Sequence, residues 1–223
     1  MNYFAHGHRF VDEPYFLAGT ALPDWMNVVD RRTRVRRRHA LAHVAHDDPR
    51  LAAVARGVVQ HHVDDDWFHR TTAFFEVSQQ IAAKVGKVIG GDANARPSFL
   101  GHILTEILLD ASLIASAPRR LDAYYAACET IDPLVVERAV EAISGRRLRQ
   151  ISQWVPLFAA EGFLRDYADD MRLTFRLNQV MRRVGLPLLP DSIVKVLAAA
   201  RNVVDTRRDE LLTHPDGTVT AAA

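Results

Sequence analysis

Proline residues at the start of apolar, helix-length segments constrain this chain more than any other feature. Apolar residues recur with helical spacing after each of them, and no alternating strand pattern persists. Asp48-Pro49 resembles an N-cap followed by a first-turn proline, which predicts a helix to about Arg70. Pro97-Ser98 predicts a second helix to about Ala117. The chain is therefore predicted to be all-α.

The rest of the chain extends this pattern. Gly185, with Pro187 beyond it, is a helix stop signal, and Pro190 opens a last helix. The segment Gly86–Arg96 is rich in glycine and is predicted to be a flexible loop. Further helices are predicted at about 120–131, 133–144, 146–158, 161–184 and 190–212.

Composition excludes several classes of protein. The 223 residues are 48% hydrophobic and 25% charged with a formal net charge of +1, which gives no sign of a general nucleic-acid or membrane binder. The single Cys128 excludes an intramolecular disulfide framework and a cysteine-based zinc site. The N-terminus lacks the continuous apolar region of a secretory signal. The apolar stretch Pro97–Pro118 contains three acidic or imidazole side chains, so we expect a buried helix, no membrane span and a cytoplasmic protein.

The helix that begins at Pro49 carries imidazole and carboxylate on its apolar face. His61, Asp65 and His69 are spaced four residues apart, so they stack on one side of a helix. Val54 and Val58 continue the same stripe toward the N-terminus. Burying such polar groups without partners would cost several kcal/mol. A bound cation would satisfy them.

The helix that begins at Pro97 repeats this arrangement. His102, Glu106 and Asp110 form an i, i+4, i+8 stripe on an otherwise apolar helix, with no lysine or arginine among them. Asp110 is expected to hydrogen-bond a ligand imidazole rather than bind metal. Neutral imidazole together with carboxylate suits zinc, and also manganese or iron(II). Nine of the ten histidines lie between positions 6 and 102, which places this chemistry in the N-terminal half.

Further candidate ligands precede these helices. Asp24 and His8 are the better candidates, and His39 is a third. His43 and His46 could also be ligands, but a surface or core role fits them equally well. The neighbours of the first stripe, His62, Asp64 and Asp66, are expected to be structural or to face solvent.

The order of these motifs resembles the zinc-dependent phospholipase C family. The resemblance rests on four motifs: Gly7-His8, the segment LAGTALPDW at 17–25, His-x-x-x-Asp-x-x-x-His at 61–69 and Gly-His-x-x-x-Glu at 101–106. The resemblance covers roughly residues 3–115, and that superfamily includes single-strand nucleases and glycosylphosphatidylinositol-specific phospholipases. It implies an all-α, single-domain bundle of the phospholipase C and nuclease type with extra C-terminal helices. Residues 1–118 would form the catalytic core, 119–212 would pack on it, and 213–223 would be a disordered tail.

The resemblance also implies a metal site with two or three zinc ions. One zinc would bind Asp24, His39, His61 and Asp65, and a second would bind His69, His102 and Glu106. The third would take His8, a shared Asp65 and the N-terminal residue, which is a tryptophan in the secreted enzymes. This chain begins Met1-Asn2-Tyr3. The third site is therefore expected to be absent or rebuilt with His6, which otherwise would support a ligand from behind.

A second resemblance is to acyl-carrier-protein phosphodiesterase of the HD-type phosphohydrolases. This resemblance rests on the opening MNYFAHGH, on Asp24 and on the His-x-x-x-Asp helix. That family has a later Asp-His pair, where this chain has Glu106-Ile107. Both resemblances imply hydrolysis of phosphoester bonds at an all-α metal site.

These features together predict a metal-dependent phosphoesterase, with Asp24 or Asp65 orienting the attacking water or accepting its proton. The run RRTRVRRR at 31–38 is either a solvated loop or a basic surface that gathers anionic substrates, with Arg36 and Arg37 as binding residues. The expected substrate is a small phosphoester or a phospholipid head group, with nucleic acid less favoured. The C-terminal helices would cover the site or form a homodimer. The alternatives are a helical protein that metal only stabilises, and a binding module without activity.

Overall fold

The computed structural model describes residues 1–89, 96–214 and 216–217. Within these ranges there are helices and no β-strand, so the predicted all-α class is confirmed. Short 3₁₀ turns join several of the helices. The α-helices are α1 (Tyr3–Gly7), α2 (Pro14–Val29), α3 (Arg37–Ala40), α4 (Pro49–Phe68), α5 (Thr72–Val88), α6 (Pro97–Ser116), α7 (Pro118–Glu129), α8 (Pro133–Ser144), α9 (Gln150–Glu161), α10 (Asp170–Val184), α11 (Val194–Thr206) and α12 (Arg208–Leu211).

Helix α5 is the main element that the sequence pattern missed. It begins without a proline, at Thr71, whose Oγ1 accepts a hydrogen bond from the backbone N–H of Phe74 at 3.1 Å. This is an ordinary N-cap, and it carries no proline to mark the start of the helix in the sequence. The helix continues through Gly86 to Val88, where the sequence predicted a loop. Residues 90–95 of that predicted loop lie outside the described residues.

Two predicted C-terminal helices are each divided. The helix predicted over 161–184 is wrong at its start because Gly162, at φ 58°, ends α9 in the left-handed conformation. A 3₁₀ turn at Phe163–Ala168 follows, and the Asp169 carboxylate then caps α10. The helix predicted over 190–212 is a 3₁₀ turn followed by α11 and α12, with Arg207 between them. Of the predicted tail, residues 215 and 218–223 lie outside the described ranges.

The chain folds into two compact units. Unit 1 contains Met1–Asp66 and Ala117–Gly162, and unit 2 contains Trp67–Ser116 and the chain from Phe163 onward. Each unit combines an N-terminal segment with a C-terminal one. The segment predicted as the catalytic core, residues 1–118, therefore contributes to both units.

Unit 1 is organised by a very close crossing of α2 and α4. A Cβ atom built on Gly57 would lie 2.1 Å from the carbonyl oxygen of Phe16 and 2.7 Å from the Cα of Gly19. A Cβ on Gly19 would lie 2.2 Å from the carbonyl oxygen of Val54. Only glycine at both positions allows the two backbones to approach this closely. Beside the crossing, the fully buried Trp25 packs its ring edge against Phe158, at 5.1 Å between ring centroids.

Unit 2 is built on the pairing of α5 with α6. A Cβ atom on Gly101 would lie 2.3 Å from the carbonyl oxygen of Ser78, so α6 also approaches its partner through a glycine. Helix α6 is long and apolar enough to cross a membrane by length and composition alone, with a mean hydropathy of 1.4. In the structure, 61% of its most apolar window is buried, and Leu104 and Leu108 are core residues.

Candidate metal centres

Unit 1 contains a cluster of two histidines and one aspartate, which we call the His6 cluster: His6, His61 and Asp65. One potential ligand atom from each lies within 4.8 Å of the others. Nε2 of His6 lies 3.2 Å from Oδ1 of Asp65, and Nε2 of His61 lies 3.3 Å from Oδ2. The two imidazole rings are stacked, with centroids 4.1 Å apart. Helix α1 supplies His6 and one face of α4 supplies the other two, as the i, i+4 spacing predicted.

Hydrogen bonds on the far side of each ring orient both imidazoles toward Asp65. Nδ1 of His61 donates to the carbonyl oxygen of Thr20 at 2.8 Å, because a carbonyl can only accept. Nδ1 of His6 lies 3.3 Å from Oδ2 of Asp64. In the neutral tautomers that these bonds select, each Nε2 keeps its lone pair and points it at the same carboxylate. Nε2 of His6 is buried and makes no hydrogen bond among the described residues.

The charges within the cluster are strongly coupled. Burial raises the pKa of Asp65, but the His6 and His61 imidazoles together with the N-terminal ammonium outweigh it and hold that pKa well below its ordinary value. Burial lowers the pKa of His6, whereas the carboxylates of Asp64 and Asp65 outweigh this effect and raise it. Lone pairs that converge on a carboxylate repel it unless a positive charge lies among them. The N-terminal ammonium of Met1, 2.7 Å from Oδ1 of Asp65, supplies such a charge, as would a proton on His6 or a bound cation.

Asp64 was expected to be structural or to face solvent, and its burial, at 3% exposed, fits the structural alternative. It accepts a hydrogen bond from Gln60 Nε2 at 2.8 Å, and its contact with His6 was not predicted. Its other oxygen faces Nδ1 of His6 at 3.3 Å and a guanidinium nitrogen of Arg9 at 3.7 Å. A carboxylate behind an imidazole is the usual support of a metal-binding histidine. The signal for it, a glutamine four residues before an aspartate, is too common to be noticed in a sequence.

A cavity of about 330 Å³ in unit 1 opens beside this cluster. It is lined by Asp24, His61 and Asp65, which the family resemblance grouped as ligands of one metal. The rest of its wall consists of Pro23, Met26, Asn27, Arg34, Val35, Arg36 and His62. His39, the fourth predicted ligand, is exposed, and its Nε2 accepts a hydrogen bond from Arg38 Nε at 3.1 Å. Three of the four therefore line one cavity, but Asp24 is not among the residues whose ligand atoms converge in the His6 cluster, and His39 does not line the cavity.

Unit 2 contains a second cluster, which we call the Glu106 cluster: His69, His102 and Glu106. Nε2 of His69 and Nε2 of His102 lie 2.7 and 3.2 Å from the same oxygen of Glu106. The ring of Phe74 packs against both imidazoles, with centroids 4.9 Å from each. Burial raises the pKa of Glu106, but the two imidazoles contribute to holding it below its ordinary value. These are the three residues that the family resemblance assigned to a second zinc.

His69 reaches this cluster from a turn rather than from the predicted helix. Helix α4 ends at Phe68, one residue earlier. The predicted stripe of His61, Asp65 and His69 is thus divided between the two clusters. The prediction that both sets of ligands belong to a single site with two or three zinc ions stays a prediction.

Other candidates lie outside the two clusters. His8 is buried in unit 1 and stacks on Phe4 at 5.3 Å, and burial, with the charges of Arg9 and Arg120, lowers its pKa to about 4. Asp110 is fully buried on α6, and its predicted hydrogen bond to a ligand imidazole stays a prediction. His6 was expected either to help rebuild the third site or to support a ligand; its Nε2 faces Asp65, as does the N-terminal amine of Met1, and metal binding there stays a prediction.

Of the two arginines of the basic run that were predicted to bind substrate, only one lines the cavity. Arg36 lines the cavity, but Arg37 begins α3 and does not. Arg34, which the sequence reasoning did not select, lines the cavity in its stead. His43 and His46 lie at the surface or partly exposed, with ring centroids 6.2 Å apart.

Comparison of the chain with protein-family models, with curated proteins and with solved structures finds no match.

Proposed function

We propose that this protein is a metal-dependent hydrolase of phosphoester bonds. The observation that carries the proposal is the His6 cluster, in which two oriented imidazoles direct their Nε2 atoms at one carboxylate beside a polar cavity. Two nitrogens and a carboxylate oxygen suit zinc, with manganese or iron(II) as alternatives. Three protein ligands leave coordination positions open, as in catalytic rather than structural zinc sites.

The cavity wall carries the groups that hydrolysis needs. A divalent cation at such a site polarises a phosphoryl oxygen and lowers the pKa of a water molecule that it binds. The Asp24 carboxylate lines the same cavity, where it can orient the attacking water and accept its proton. Arg34 and Arg36 supply positive charge toward an anionic substrate. The Glu106 cluster offers an equivalent donor set in unit 2, so we propose two cations per chain.

The first test measures metal content and hydrolysis in the same preparation. We expect elemental analysis of the purified protein to find up to two zinc ions per chain, and we expect slow chelation to remove both zinc and hydrolysis of bis(p-nitrophenyl) phosphate. Readdition of zinc should restore activity. Phosphatidylcholine and single-stranded DNA serve as further substrates. Less than one metal per chain, with chelators changing neither stability nor activity, would refute the proposal. Bound metal without any hydrolysis would instead indicate a cation that only stabilises the fold.

The second test addresses Asp64. Asp64→Asn is expected to weaken zinc binding at the His6 cluster by about 10- to 100-fold, because the amide supports the His6 imidazole less well than the carboxylate does. Competition with a chromophoric chelator measures that affinity. Asp66→Asn is the matched control, since Asp66 is exposed on the same helix. Equal zinc affinity in the two variants would show that Asp64 does not support a ligand.

A further inference from the structure

Hydrogen bonds to Asp30 brace the start of the segment between α2 and α3. Oγ1 of Thr33 donates to Asp30 at 2.7 Å, and the backbone N–H of Arg32 donates to the same carboxylate at 3.0 Å. Val35 is buried, at 3% exposed, and its carbonyl oxygen accepts a hydrogen bond from Nε2 of His62 at 2.8 Å. The basic run is therefore anchored at this point to the metal-binding helix, one residue after His61.

Arg34 and Arg36 flank the buried Val35, and both line the cavity beside the His6 cluster. One guanidinium nitrogen of Arg34 donates to the neutral side-chain oxygen of Asn27 at 2.7 Å. Neither arginine forms an ion pair with any described residue. Arg32, Arg37 and Arg38 belong to the same run but do not line the cavity.

Two guanidinium groups without an ion-pair partner add positive charge to a cavity wall that also holds the Asp24 and Asp65 carboxylates, whose charge the proposed cation would offset. Guanidinium groups bind carboxylate and phosphate through charge-assisted, often bidentate hydrogen bonds. They repel a quaternary ammonium group, which would need carboxylate or aromatic faces in their place. A cation at the His6 cluster would engage the scissile phosphoryl group, which leaves the arginines for a second group of the substrate.

We infer that the cavity selects phosphoesters that carry a second anionic group, which Arg34 and Arg36 bind, and rejects those with a cationic head group. This inference rests on the proposed function, because it assigns the substrate class of the same site. This preference would distinguish the protein from hydrolases that are specific for choline lipids. The second anionic group is a phosphate or a carboxylate, on either a soluble ester or a lipid head group.

The binding test uses two probes with the same phosphate end. 2-Phosphoglycolate carries a carboxylate at its other end, and phosphocholine carries a quaternary ammonium. Calorimetric titration of the zinc-loaded protein is expected to show 2-phosphoglycolate binding at least about tenfold more tightly, which corresponds to one charge-assisted interaction. The double variant Arg34→Gln/Arg36→Gln should lose this preference and keep its zinc content and melting temperature, since both side chains are exposed.

The matched control is Arg37→Gln/Arg38→Gln, which removes the same charge from the same run outside the cavity. It is expected to bind both probes as the wild type does. A preference that falls equally in both double variants, or phosphocholine binding as tight as that of 2-phosphoglycolate in the wild type, would overturn the inference. The probes report binding, so they separate the two proposals. Arginine-dependent binding without hydrolysis of any ester counts against the proposed function, and hydrolysis without an anionic preference counts against this inference.

A lipid experiment distinguishes the two sources of the anionic group. Vesicles of phosphatidylcholine are compared with vesicles of phosphatidylcholine mixed with phosphatidylinositol 4-phosphate. Release of the phosphorylated head group from the mixed vesicles alone would identify an anionic lipid as the source. Hydrolysis confined to soluble anionic esters would identify a soluble substrate, and release of phosphocholine from either vesicle would overturn the inference.

Discussion

Gly57→Ala is expected to lower the free energy of unfolding by about 3 kcal/mol or more, the upper range for adding a methyl group to a packed interior. The added Cβ would lie 2.1 Å from the carbonyl oxygen of Phe16, which is backbone and cannot rotate away. The helices α2 and α4 would have to separate, and the hydrogen bond between Thr20 and His61 spans that crossing. We therefore expect the variant to lose zinc affinity at the His6 cluster as well as stability.

Urea unfolding followed by circular dichroism measures the change in stability, and Gly86→Ala is the control. A Cβ on Gly86 would meet only side-chain atoms of Pro97, at 3.8 Å, inside helix α5. That variant should be neutral or more stable by up to about 1 kcal/mol, because alanine is the better helix former. A Gly57→Ala protein within about 0.5 kcal/mol of the wild type would show that the two helices do not need this close approach.

His61→Ala is expected to remove one zinc ion per chain and to reduce phosphoester hydrolysis by about 10³-fold or more, since a catalytic cation supplies several kcal/mol of transition-state stabilisation. Glu106→Ala should remove the other ion. Elemental analysis and the rate with bis(p-nitrophenyl) phosphate measure the two effects.

His39→Ala distinguishes the ligands implied by family resemblance from those that the structure brings together. Resemblance made His39 a ligand of the same zinc as His61, whereas the structure leaves it exposed beside Arg38. We expect His39→Ala to keep the full metal content. Metal lost from His39→Ala but retained in His61→Ala would show that the His6 cluster is not the binding site.

The features that local spacing controls were predictable. The all-α class follows from helical periodicity, and the pairs His61 with Asp65 and His102 with Glu106 follow from the four-residue spacing that stacks side chains on a helix. The association of His69 with the second pair came only from family resemblance, and the structure places it there. Helix α5 was missed because its start is marked by the cap at Thr71, which is a weaker signal than the proline that opens α2, α4, α6, α7 and α8.

By itself the sequence determined the helices and the polar stripes on them, because both depend on residues within one or two turns of each other. The tertiary structure decided which of these polar side chains contact residues from distant parts of the chain. His6 joins His61 and Asp65 from a helix more than fifty positions away, and Asp64 becomes its support only because that helix packs against it. The crossing at Gly19 and Gly57 and the bond from His62 to Val35 set the cavity wall, including Arg34. These are long-range interactions whose geometry depends on how the helices pack, which no local spacing of residues encodes.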